Sequence, residues 1–142
     1  MKSASKAIII SENKYLLQHR DNKANIWSPN CWGLFGGQVD SNETPESCLI
    51  REVKEELSIN CKILKKIHQC LNNEVGMLNI FFWVSTNEKI TSKKLREGQN
   101  LGWFGESEIE KMETTWDTQQ FLKFMKRNNF KKKNLELFFK EN

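Results

Sequence analysis

The stretch Thr44-Pro45-Glu46-Ser47 begins a helix in three independent ways. Thr44 can cap the first free N–H groups, Pro45 suits the first helical position with its fixed φ and missing N–H, and Glu46 meets the positive end of the helix dipole. The pattern predicts a helix to about Leu57. At about 100° per residue, Leu49, Ile50, Val53 and Leu57 share one arc and form a core-facing stripe. Such a helix must lie against another layer of structure, and the rest of the chain supplies strands for it.

Lys6 to Ile10 and Tyr15 to His19 flank a polar Ser11-Glu12-Asn13 turn and read as a hairpin. Cys31 to Phe35 is strand-like and ends at Gly36-Gly37. Ile59 to Leu71 and Met77 to Ser85 are two further strands around a polar turn, and Leu101 to Phe104 is a last one. A short helix near Glu106 to Met112 and a longer one from about Thr118 to Lys126 close the order. Strands, helix, strands, helix predicts an α/β (α+β) fold with a mixed β-sheet layered against helices. At 142 residues the chain supports one core, so residues 1–142 are expected to form a single domain.

Composition removes several classes. Five Trp and nine Phe are too many for a disordered chain. No apolar run approaches the roughly 18–20 residues that a membrane span needs, and the short apolar stretch ending at Ile10 is a poor secretory signal. Cys31, Cys48, Cys61 and Cys70 show no C-x-x-C pairing and read as reduced thiols, which predicts a cytoplasmic protein. The net charge is +4, but Lys123 to Asn142 alone carries seven basic and two acidic residues. The excess is a C-terminal feature, read as a solvated tail or helix face, and a nucleic-acid partner is not expected.

Glu52, Glu55 and Glu56 fall in an arc beside the apolar stripe of the predicted helix. Like charges three and four residues apart cost a few tenths of a kcal/mol per pair. Two explanations fit: a hard divalent cation that reverses the sign of the interaction, or a solvated acidic patch relieved by Arg51 and Lys54.

Reading outward, Gly37, Glu43, Arg51-Glu52-Val53, Glu55-Glu56 and Ile59 occupy fixed intervals. This spacing resembles the Nudix box, every specified position matching except Ser58, where the box has Gly. Trp32-Gly33-Leu34-Phe35-Gly36-Gly37 is similar to the family's lead-in, Leu16-Leu17-Gln18-His19-Arg20 to its preceding strand, and Glu97-Gly98 with Trp103 to its late acidic loop. The resemblance covers about residues 6–112.

It implies an α/β/α sandwich with a loop–helix–loop motif, and a hydrolase that uses Mg²⁺ or Mn²⁺ to cleave a nucleoside diphosphate linked to another group. The metal ligands it implies are Glu52, Glu55 and Glu56, with the main chain at Gly37 passing close by. The general base differs within the family; Glu52 and Glu97 are the two contenders. Arg51 is expected to orient carboxylates, Glu43 above all, and so to belong to the catalytic set without reacting. Gly36 and Gly37, Arg20, Trp27 and Phe35 are the expected substrate-side residues, with Trp27 a possible cover and Phe35 an aromatic ring where the family has Pro.

The expected partner is a small nucleotide, a triphosphate in first place and a nucleotide sugar or dinucleotide in second, on a monomer or homodimer. A non-catalytic nucleotide sensor is the rival of another class. At the helix end, Ser58 lacks the freedom of glycine, so Asn60 is expected to take the left-handed turn. His19 and His68 are expected to be structural.

Overall fold

The computed structural model describes residues 1–21, 29–91 and 100–128. Among the described residues eight strands and three helices follow one another: β1 (Lys2–Ile8), β2 (Ile10–Ser11), β3 (Lys14–His19), β4 (Trp32–Gly33), β5 (Phe35–Gln38), α1 (Pro45–Leu57), β6 (Lys62–Asn72), β7 (Met77–Ser85), β8 (Asn100–Phe104), α2 (Glu106–Ile109) and α3 (Trp116–Arg127). None of the described helices is long and apolar enough to cross a membrane.

The strands form two sheets. In the first the order is β5-β1-β7-β6, with β1 parallel to β7 and the other pairs antiparallel. In the second, β3 pairs antiparallel with β2, β4 and β8. The expected hairpin is real but smaller than its sequence suggests. Only Ile10 and Ser11 pair back onto β3, across Glu12 and Asn13, both at positive φ (51° and 65°), the backbone that suits a tight two-residue turn. The preceding Lys2–Ile8 belongs to the other sheet, where its parallel register with β7 runs from Lys2 opposite Met77 to Ile8 opposite Trp83.

Both faces of the strands are covered, which is why their apolar runs are nearly continuous. Ala7, Ile9, Leu16, Phe35, Ile80, Phe82 and Val84 turn one way and pack with Leu49, Val53, Leu57 and Ile59 of the α1 layer. Ile8, Tyr15, Leu17, Leu34, Phe81 and Trp83 turn the other way onto Ile109, Phe121 and Met125 of α2 and α3. The result is the α/β/α layering expected, with two sheets at its centre. α2 is a single turn, shorter than the Glu106–Met112 expected, and α3 starts two residues before the Thr118 expected.

Helix α1 is defined at both ends. Thr44 Oγ1 accepts from the Ser47 amide at 3.0 Å while Ser47 Oγ accepts from the Thr44 amide at 3.0 Å, a reciprocal cap with Pro45 behind it. At the other end Ser58 itself adopts the left-handed conformation (φ 57°, ψ 36°), its N–H donating to the Lys54 carbonyl. The turn is therefore not deferred to Asn60: closing the last helical turn requires it at once, and Ser58 bears the roughly 1 kcal/mol that a Cβ costs there.

Candidate active site

Two loops and α1 bring the acidic residues against the Gly36-Gly37 main chain. Gly36 (φ 146°) lies so close to β1 that a Cβ would overlap the main-chain oxygen of Ser5. At Gly37 a Cβ would occupy the space of the Glu52 carboxylate. Two successive glycines thus let β5 pass tightly between β1 on one side and a helix carboxylate on the other.

The three helix carboxylates stand in three different environments. Glu56 is buried, 4% exposed. Its Oε1 accepts from the Gly36 amide at 3.1 Å and its Oε2 from Gln18 Nε2 at 3.0 Å. The Glu52 side chain is 18% exposed and accepts from Arg51 Nη1 at 3.0 Å. Glu55 is mostly exposed, with both oxygens 3.3 Å from the same Nη1.

Arg51 sits between the loop before α1 and the helix carboxylates. Its Nε and Nη2 fork onto Glu43 Oε2 and Oε1 at 2.6 and 2.8 Å, tying the loop before α1 to the helix. Asp40 lies within 3.6 Å of the same guanidinium. Hydrogen bonds from Arg51, then from the Asp40 amide, hold the Glu43 carboxyl well below the usual carboxylate range, down to about 2. One guanidinium therefore bridges two loop carboxylates and two helix carboxylates.

Other expected residues land elsewhere. Phe35 is fully buried among Ala7, Leu49 and Val53, because β5 pairs Phe35 with Ala7 and turns both toward α1. Ile50 is 42% exposed and leaves the core stripe, its place taken by Glu56. Arg20 directly follows β3, its amide donating to the Cys31 carbonyl at 2.9 Å. Trp27 and Glu97 lie outside the described residues. His19 stacks on Trp32 with centroids 4.7 Å apart, and His68 stacks between Phe124 and Phe81 at 4.1 and 5.9 Å, both structural contacts.

Two neighbours of the site were not assigned from the sequence. Gln18 holds Glu56; its only signal was an amide inside an apolar strand. The Cys48 thiol, raised in pKa by burial and then by the Glu43 charge, stays protonated and donates to the carbonyls of Gly37 and Gln38 at 3.6 and 3.5 Å. An ordinary small residue on a helix gave no hint of it.

Among the described residues no three Asp, Glu, His or Cys side chains are already gathered as a metal cage. The donor chemistry nonetheless suits a hard divalent ion: every donor is oxygen, three are anionic, and the two least exposed carboxylates lie against the Gly36-Gly37 main chain, Glu52 in the space a Cβ at Gly37 would fill. What the arrangement can do is gather positive charge beside a backbone able to approach a phosphate closely.

Helices on both sides of a mixed and an antiparallel sheet, with a capped acidic helix set between two loops, define a loop–helix–loop domain of one known class. The NUDIX domain profile matches residues 1–125, and the chain belongs to that family. A putative 8-oxo-dGTP diphosphatase 3 of Mycobacterium tuberculosis is 33% identical over 102 residues, 66% of this chain and 45% of that protein. An 8-oxo-dGTP diphosphatase of Proteus vulgaris is 32% identical over 66 residues, 44% of this chain and 59% of its own length. The chain thus spans about half the length of the curated relatives it matches. The crystal structure of a MutT protein from Methanosarcina mazei superposes with a TM-score of 0.70 at 24% identity, covering 91% of this chain and 95% of that one, a likeness of fold. Hydrolases of this family generally require a divalent metal.

Proposed function

We propose that the chain hydrolyses a nucleoside triphosphate to the monophosphate and pyrophosphate with Mg²⁺ or Mn²⁺, with an oxidised purine such as 8-oxo-dGTP the first substrate to test. The observation that carries this reading is Glu56, a buried carboxylate aimed at the Gly36 amide within a helix that also sets Glu52 against Gly37. A carboxylate that close to complete burial is costly to keep charged unless the site uses its charge.

Glu52, Glu55, Glu56 and the Gly37 carbonyl are the groups that would hold the cation. When bound, such an ion neutralises the polyphosphate, lowers the pKa of a water and stabilises the leaving oxygen. The chain's own contribution is placement. Arg51 joins the Glu43 loop to Glu52 and Glu55, so the anionic groups move as one unit. Glu52 and Glu97 are the candidate bases for the attacking water. The glycine pair lets phosphate oxygens come near main chain, and Arg20, just past the end of β3, is a further cation for them. The names of the two diphosphatases favour the oxidised purine; the missing share of their length leaves substrate choice to experiment. The free thiols of Cys31, Cys48, Cys61 and Cys70 support a cytoplasmic location.

The test is product analysis on a panel of canonical and oxidised triphosphates, nucleotide sugars and dinucleotides, with and without Mg²⁺. Wild type should release monophosphate and pyrophosphate only with the cation, and Glu56→Gln should lower turnover by about 10³-fold. Equal turnover in Glu56→Gln would overturn the assignment of the site, whereas nucleotide binding without any product would reject the enzymatic reading in favour of a sensor.

A further inference from the structure

We propose that Gln18 is the positioning residue for Glu56, a role that rests on Glu56 being a ligand of the catalytic cation. Gln18 lies on β3 two residues after Leu16, on the face turned toward α1. Leu16 is fully buried there and Gln18 is 4% exposed, so an apolar side chain would complete the stripe and avoid the cost of burying an amide. The amide is repaid by one contact in the buried interior, Nε2 to Glu56 Oε2 at 3.0 Å. A carboxylate only accepts, so this contact also fixes which end of the amide faces it.

The geometry around Glu56 is what makes this more than satisfaction of a buried charge. The last torsion of a glutamate is soft, and a carboxylate held by one donor can swing about it. Glu56 is held at both oxygens by donors from the two different sheets: Gln18 of β3 on Oε2, and the Gly36 amide of β5 on Oε1. The plane of the carboxylate is thereby set by the strands. Glu52 and Glu55 are met by Arg51, a partly exposed side chain on their own helix. Glu56 is the preset ligand, and Gln18 does the presetting from 38 residues away in sequence.

The test uses Mn²⁺ alone as the first probe, with binding read from the paramagnetic resonance of free Mn²⁺ in titrations of wild type, Gln18→Met and Glu56→Gln. Gln18→Met conserves volume and removes the donor. It should weaken Mn²⁺ about tenfold, the usual effect of losing a group that orients a ligand, and lower kcat for 8-oxo-dGTP about tenfold with KM within about twofold of wild type. Wild-type Mn²⁺ affinity and kcat in Gln18→Met, alongside weakened binding in Glu56→Gln, would overturn the role of Gln18 alone. Unchanged binding in Glu56→Gln would overturn the assignment of Glu56 and this role with it. A folding failure of Gln18→Met is covered by a measurement on wild type: the Gln18 side-chain amide resonances should shift on titration with Mg²⁺ and saturate with binding, and resonances that stay in place would overturn the proposal.

Discussion

A methyl group added at Gly36 and one added at Gly37 meet opposite kinds of obstacle. At Gly36 the obstacle is main chain, the Ser5 carbonyl, at a φ of 146° that residues with a Cβ rarely adopt. At Gly37 it is the end of the Glu52 side chain, which can swing aside. Gly36→Ala should therefore cost about 2–4 kcal/mol of stability, and Gly37→Ala less than about 1 kcal/mol while displacing a carboxylate of the site. Urea denaturation beside activity assays checks the pair: Gly37→Ala folded and at least tenfold slower, Gly36→Ala chiefly unstable. A stable Gly36→Ala, or a fully active Gly37→Ala, would contradict this division. The resemblance to the Nudix box and its lead-in marked the glycines and the helix carboxylates in the sequence. Their contacts were not legible, because a helical wheel gives angles and not neighbours. On the wheel Glu56 stands only about 20° from Leu49 while Ile50 stands about 100° away, so the buried face could equally be centred on Glu56. Only the approach of β3 and β5 decides that the acid goes inside and Ile50 out.

The elements themselves were readable wherever a local rule governs them. The Thr44–Ser47 cap, the extent of α1 and the β6–β7 hairpin follow from capping chemistry and alternating apolar residues. The division of Lys2–Ser11 between two sheets does not, because parallel pairing of β1 with β7 joins segments more than seventy residues apart. Packing between elements makes its own prediction at His68. The ring is stacked on Phe81 of β7 and Phe124 of α3, and burial, with the Arg127 charge second, lowers its pKa. The folded protein then binds fewer protons than the unfolded chain between that lowered value and about 6.5, so stability rises with pH across the window. It is complete above about 6.5 and declines as the pH falls below. His68→Phe keeps the stack and removes the proton, so its midpoint of thermal unfolding should fall less than that of wild type as the pH drops below about 6.5. Parallel curves for the two proteins would show that the docking of α3 on β6 is not what titrates.

At the scale of the whole molecule, the acidic site is also the place where the layers meet. Glu56 belongs to α1, and its two hydrogen-bond donors come one from each sheet. Arg51 adds the loop before α1 to the same cluster through Glu43. A cation bound there would be linked to global unfolding, since unfolding separates all of its ligands at once. It would stabilise the native state by RT ln(1 + [L]/Kd), about 2.7 kcal/mol at a hundredfold excess over Kd, or a rise of several degrees in Tm for a chain of this size. Relief of repulsion among Glu52, Glu55 and Glu56 acts in the same direction. Mn²⁺ without nucleotide should therefore raise Tm in proportion to the logarithm of its concentration, EDTA should reverse the rise, and NaCl at matched ionic strength should not reproduce it. Glu56→Gln should lose most of the increment even where its own Tm in the absence of metal is unchanged or higher, because an amide buried beside Gln18 costs less than a carboxylate. An increment that survives in Glu56→Gln would locate the bound ion elsewhere on the surface and separate the metal from the junction of the layers.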